Sequence, residues 1–160
     1  QTQRFLSLSP NVPSAFRFAG EAELFSGNYE KAQEYYKKSD SGLIELGYIY
    51  WKTGKKDEAR KIFKESLDRS QKQIQQGDEH YATRQYIAMI YAIQGNKEKA
   101  LNWMQKAVDA GWRYYRYILR HPLLENIREE PRFKEIIEKT KARVDEMRRR
   151  VEKENNKTPG

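Results

Sequence analysis

A five-point spacing occurs three times in this chain and restricts the fold more than any other feature. It consists of a small residue, Gly seven positions later, Ala five after that, a bulky residue four further on, and a small residue three beyond. The copies are Gly20-Gly27-Ala32-Tyr36-Ser39, Gly47-Gly54-Ala59-Phe63-Ser66 and Ala88-Gly95-Ala100-Met104-Ala107. A repeated spacing implies a repeated structural unit, and each unit has to bury its apolar face against a neighbour.

Each copy reads as a helix, a turn and a second helix. The middle glycine stands where the first helix has to close, because glycine adopts the left-handed conformation at low cost. Asn28 and Asn96 follow directly and are expected to cap the next helix. Ala32, Ala59 and Ala100 fall one turn into the second helix, where a small side chain allows close approach. Tyr36, Phe63 and Met104 lie four residues on, on the same face, and fill the space between helices. Only 9 Gly and 5 Pro among 160 residues, with charged residues at 34%, fit a helical chain. The expected fold class is all-α.

The second copy carries Leu43-x2-Leu46-Gly47-x2-Tyr50, then Ala59-x3-Phe63. This resembles the tetratricopeptide repeat, with Phe16, Gly20, Ala32 and Tyr36 matching in the first copy and Ile87, Tyr91 and Ala100 in the third. Glu23 and Arg84 depart from the bulky residues usual at their places. The resemblance covers about residues 13–110 and implies a right-handed superhelix of helix pairs, with repeats at 13–39, 40–80 and 81–110. Gly27 and Gly54 are 27 residues apart and Gly54 and Gly95 are 41 apart, together twice the 34-residue repeat of that family. Seven residues have therefore passed from the first repeat to the second. The spacing predicts a second helix cut short near Ser39-Asp40-Ser41 and another running on to Gln75, broken at Gln76-Gly77-Asp78. A long loop at 70–79 is the alternative, but Arg69–Gln75 contains no breaker.

At the N-terminus, Phe5–Asn11 resembles the last turn of a preceding repeat and its linker, so residues 1–12 are expected to belong to a longer array. Beyond Val108 the pattern decays. Residues 111–154 are expected to form a degenerate cap and a long terminal helix, with 155–160 frayed. Trp112–Arg120 reads as a short helix ended by Pro122. The segment from His121 to Phe133 is similar to a motif that ends such arrays in bacterial signalling proteins, including cyclases and winged-helix regulators. That similarity implies a bacterial protein and carries no catalytic residue. Pro131 suits a first helical turn. From there Phe133, Ile137, Thr140, Val144, Met147 and Val151 form a narrow stripe, either packed on the last repeat or serving as a seam for self-association.

The formal net charge of +8 raises nucleic acid as an alternative partner, since residues 111–160 hold 14 Lys/Arg against 9 Asp/Glu and interleave aromatics with Arg113 and Arg116. The acids scattered through the same region, including those around Arg148–Arg150, argue against it. The sequence has no cysteine and two histidines, His80 and His121, both expected at the surface or in caps. It has no Gly-rich phosphate loop, helix-borne metal pair or Ser/His/Asp arrangement. The reading is non-enzymatic, with no cofactor and no metal. No stretch reaches the roughly 20 apolar residues of a membrane span, and the compartment, cytoplasmic or periplasmic, is left open.

The resemblance places partner binding on the first helices of the repeats, which line a concave groove. It maps Arg17 and Glu21 there from repeat 1, Tyr48, Trp51 and Lys52 from repeat 2, and Gln85 and Met89 from repeat 3. Tyr48 and Trp51 are expected to act as an aromatic anchor pair. The chaperone-binding members grip a terminal carboxylate with Lys, Arg and Asn. This chain has Glu21, Tyr48, Ser41 and Ala82 at those places, so the sequence does not support that ligand. The functional reading is a scaffold that takes a peptide or protein segment in its groove, as part of a larger protein.

Overall fold

The computed structural model describes residues 12–39 and 41–155, in which eight α-helices and one 3-10 turn occur and no strand is present. The helices are α1 (Pro13–Phe25), α2 (Tyr29–Lys38), α3 (Leu43–Lys52), α4 (Lys56–Gln75), α5 (Tyr81–Ile93), α6 (Lys97–Asp109), α7 (Tyr115–Ile118) and α8 (Pro131–Asn155), with the 3-10 turn Pro122–Leu124 between α7 and α8. The helix end expected within 1–11 and the tail beyond 155 lie outside the described residues. Two compact units divide the chain. One takes the chain up to Asp78 together with His121–Leu123, and the other takes Glu79–Arg120 and the chain from Leu124 onward.

In the first unit α1 pairs with α2, α2 packs on α3, and α3 pairs with α4. Gly27 has φ +77° and closes α1 with two bonds: its own N–H donates to Leu24 O at 3.1 Å and the Asn28 N–H to Glu23 O at 2.9 Å. This double closure satisfies carbonyls that would otherwise be orphaned at the helix end. The Asn28 side chain does not cap α2. Its Nδ2 donates to Glu23 Oε2 at 2.7 Å, a bond to α1, and its side-chain oxygen accepts no N–H from the first turn of α2. Asn96 behaves as expected, accepting from the Lys99 N–H at 3.2 Å.

The register shift is present. Helix α2 ends at Lys38, while α4 runs 20 residues to Gln75. There Gly77, at φ +93°, closes α4 with the same pair of bonds, to Ile74 O and Gln73 O. Ala59 and Phe63 are fully buried. Opposite them is Gly47, where a Cβ would stand 2.6 Å from Phe63 Cε1 and 3.2 Å from Ile62 Cγ2.

In the second unit α5 pairs with α6, and α8 packs on α6 and α7. Ile87, Ala88, Ile90, Ala100 and Met104 are fully buried, and so are Trp112, Ile118, Leu124 and Ile127 of the segment that follows. Asn126 Nδ2 donates to Ala92 O at 2.8 Å, tying that segment to the end of α5. The start of α8 is tied to α6 by Lys97–Glu130 at 2.6 Å and by Arg132 donating to Asn102 at 2.7 Å. Of the terminal stripe, Phe133, Ile137 and Thr140 are buried, the Thr140 hydroxyl donating to Ile136 O at 2.8 Å. Met147 and Val151 are exposed. The first half of the stripe therefore serves the core of its own unit.

Because Ala59 has no room beside it, Ala59→Leu is expected to destabilise the chain by about 1–3 kcal/mol through overpacking, read as a lower urea midpoint. An unchanged midpoint would show that α3 and α4 do not approach closely at Ala59.

Candidate functional site

Among the expected site residues, the structure brings Arg17 and Glu21 into one electrostatic cluster within the first unit. They lie one turn apart on α1 and both are half-buried. Two further residues join them. Glu45 is the third residue of α3, where a carboxylate is favoured by the open N–H groups of the first turn. Tyr36, from α2, lies with its ring between glycines. A Cβ at Gly20 would stand 3.2 Å from the ring, and one at Gly42, whose φ is +90°, would collide with it. Residues with side chains at either place would push the ring out.

The Tyr36 hydroxyl is buried and has no hydrogen-bond partner among the described residues. Burial, above all, pushes its pKa far above the usual phenol range, with the Glu45 and Glu21 charges adding to the rise and Arg17 opposing it. The hydroxyl therefore remains a neutral donor. Burial also pushes the Glu45 carboxyl up. A bond from its own backbone N–H works against that rise, Glu21 adds to it, and Arg17 lowers it. Two carboxylates and one guanidinium on α1 and α3 thus act on the unsatisfied phenol of α2.

The aromatic anchor pair is not formed. Tyr48 is 2% exposed, and its ring meets the Tyr29 ring edge-on at 6.2 Å. Trp51 lies 6.1 Å from the Phe63 ring, and Lys56 Nζ sits 3.7 Å over its face. The two rings share a face of α3 by spacing, yet one packs toward α2 and the other toward α4. Lys52 is exposed, with its Nζ 5.8 Å from the Tyr48 ring. In the second unit Gln85 is half-buried, but Met89 is 2% exposed and belongs to the core. Tyr48 and Met89 therefore offer almost no surface to a ligand.

Both histidines do structural work. His80 Nδ1 accepts from the Ala82 N–H at 3.2 Å and caps α5, while His121, buried, accepts from the Leu123 N–H at 3.4 Å. Of the two places expected for it, His121 takes the capping one at the 3-10 turn rather than the surface, with the Phe25 ring edge-on to it at 5.4 Å. No cluster of three or more His, Asp or Glu placed to hold a metal occurs among the described residues, nor is any described helix long and apolar enough to cross a membrane. The aromatics after Val108 do not form one stacking surface: Trp112 and Tyr115 are buried, whereas Tyr114 and Tyr117 are exposed. Arg150 pairs with Glu146, which partly neutralises the basic run.

A family model of the tetratricopeptide repeat matches residues 41–110, and a second model of the same repeat matches 18–41. The chain belongs to the tetratricopeptide repeat family. The two matches meet at residue 41, three residues after α2 ends. Tetratricopeptide repeats generally mediate protein–protein interaction and are typically not enzymes. No curated protein matches the chain.

The raised Glu45 pKa gives a signed pH effect. Stability from this group is fullest below the ordinary carboxylate value of 4.5 and falls as pH rises through the higher folded value. Glu45→Gln is therefore expected to raise the thermal midpoint at pH 7.5, with a smaller gain at pH 4. Equal gains at both pH values would show that the carboxyl ionises freely in the folded state.

Proposed function

We propose that this tetratricopeptide repeat chain is a non-enzymatic interaction module that takes a peptide or protein segment on the first helices of its repeats, as part of a larger bacterial protein. The observation that carries the reading is the charged surface of the first unit, with Arg17 and Glu21 half-buried one turn apart on α1 and Glu45 half-buried in the first turn of α3. Charged groups at a half-buried surface are suited to fixing the orientation of a partner backbone or side chain. Exposed Lys52, on α3, supplies a further charge. Gln85, half-buried on α5, is the residue proposed for the second unit taken by itself. Tyr48 packs behind this surface in the first unit, and Met89 belongs to the core of the second.

The His121–Phe133 segment fits the role of an array end in this reading. Its Leu124, Ile127 and Phe133 are buried and its Asn126 is bonded to α5, which supports a sealing function. Met147 and Val151, exposed on the outer half of α8, are the surface left for self-association.

Peptides selected on the full chain from a random display library test the reading. The variant Arg17→Gln with Lys52→Glu is expected to weaken the selected peptides at least about tenfold, or about 1.4 kcal/mol, with unchanged circular dichroism. Peptides that bind the folded variant as tightly as the parent chain would place the surface away from α1 and α3.

A further inference from the structure

The apolar stripe on which α8 packs against α6 and α7 does not stop where that packing stops. Thr140 is its last buried residue. Val144 is half-buried, and Met147 and Val151 follow in the same four-and-three spacing at 53% and 55% exposure. Residues 141–155, roughly four turns of helix, therefore extend with a seam that stays open among the described residues. A helix of that length is marginal in water without tertiary packing. The charges along it are sorted by position. With Val144 and Val151 at heptad position a and Met147 at d, both flanks of the seam hold cations alone: Lys141 and Arg148 at e, Arg143 and Arg150 at g. The acids Asp145, Glu146 and Glu152 fall at b and c, away from the seam. Lys141 and Arg150 are paired along the helix, to Glu138 at 3.9 Å and to Glu146. Both pairs are exposed, and such pairs contribute little and exchange readily.

We propose that the outer half of α8 is a docking surface for an acidic amphipathic helix of a partner protein, which lays its own apolar stripe along Val144, Met147 and Val151 and sets Glu or Asp against the four flanking cations. Apolar contact across so short a seam is small, so the flanking charges decide which helix pairs there. A second copy brings the same four cations, and like charges meet whether the two helices run parallel or antiparallel. Self-association along this seam works against that repulsion, whereas acids at the partner's e and g positions gain from it. Sorting by position also favours a helix over a nucleic acid or an anionic membrane, which respond to summed charge. Over 141–155 six Lys/Arg stand against four Asp/Glu, a net of only +2, while the four flanking positions are all cationic. The surface belongs to the second unit and does not depend on peptide binding at α1 and α3.

The probe is a synthetic three-heptad peptide with Leu at a and d and Glu at e and g, titrated by fluorescence anisotropy into the full chain at low salt. Its Lys counterpart and a scrambled peptide of the same composition are the controls. Saturable binding of the Glu peptide is expected, at least about tenfold tighter than either control. Met147→Ser with Val151→Ser is expected to abolish it, and Arg148→Glu with Arg150→Glu to turn the preference toward the Lys peptide. Arg149→Glu with Lys153→Glu makes the same change in net charge on the far face and is expected to leave the Glu peptide bound. All the substituted side chains are exposed, so circular dichroism is expected to stay unchanged. The proposal is overturned if the Glu peptide fails to bind, if the scrambled peptide binds as tightly, or if the far-face variant loses the peptide as fully as Arg148→Glu with Arg150→Glu. A dimer seen by sedimentation that the Glu peptide cannot displace, and that Met147→Ser with Val151→Ser dissociates, would give the seam to a second copy and overturn it as well.

Discussion

The contact of Gly47 with Phe63 is the constraint on which the helix pairs depend. With a virtual Cβ only 2.6 Å from the ring, α3 and α4 come close enough that only a glycine fits at this position. Packed interiors leave no slack for even one methyl group, so the identity of this residue and the distance between the helices are one fact. The other copies keep the arrangement with different tolerances. At Gly20 the clearance to the Tyr36 ring is 3.2 Å. In the third copy Ala88 takes the place of glycine and Met104 that of the ring, both fully buried. Methionine bends where an aromatic ring cannot, and a methyl group is tolerated there for that reason.

The same position links packing to recognition. A phenylalanine ring at Phe63 ends in hydrocarbon, whereas Tyr36, at the equivalent place, carries a hydroxyl into the charges of Glu21, Glu45 and Arg17. Gly20 and Gly42, neither carrying a side chain, leave the space that the Tyr36 ring fills. The polar cluster is thus built on the repeat's own packing element, and its unsatisfied donor follows from substituting tyrosine in a slot made for a bulky ring. The cost of burying a hydroxyl without a partner, about 1–3 kcal/mol, favours a function for it over accident.

Much of the helical layout was legible in the sequence because it rests on short-range rules. Gly27, Gly77 and Gly95 stop helices through local backbone bonds, and the bounds of α5 and the end of α4 follow from them. The site was less legible. Tyr48 and Trp51 share a face of α3 by spacing, but periodicity does not say which neighbouring helix covers each one. Asn28 has the right chemistry for a cap, but its side chain is bonded to Glu23, five residues back, an arrangement that only the folded turn reveals. Glu45 read as an ordinary first-turn acid, and its nearness to Glu21 arises from the packing of separate helices.

A double-mutant cycle on Gly47 and Phe63 tests the central contact most directly. Gly47→Ala alone gains helix propensity of about 1 kcal/mol, yet it is expected to lower stability because the methyl group meets the Phe63 ring. Phe63→Leu trims that ring, so the added methyl group should cost less in its presence. Urea unfolding of the four proteins is expected to give a favourable coupling of about 1 kcal/mol or more. Additive effects of the two substitutions, or a stabilising Gly47→Ala, would contradict the account.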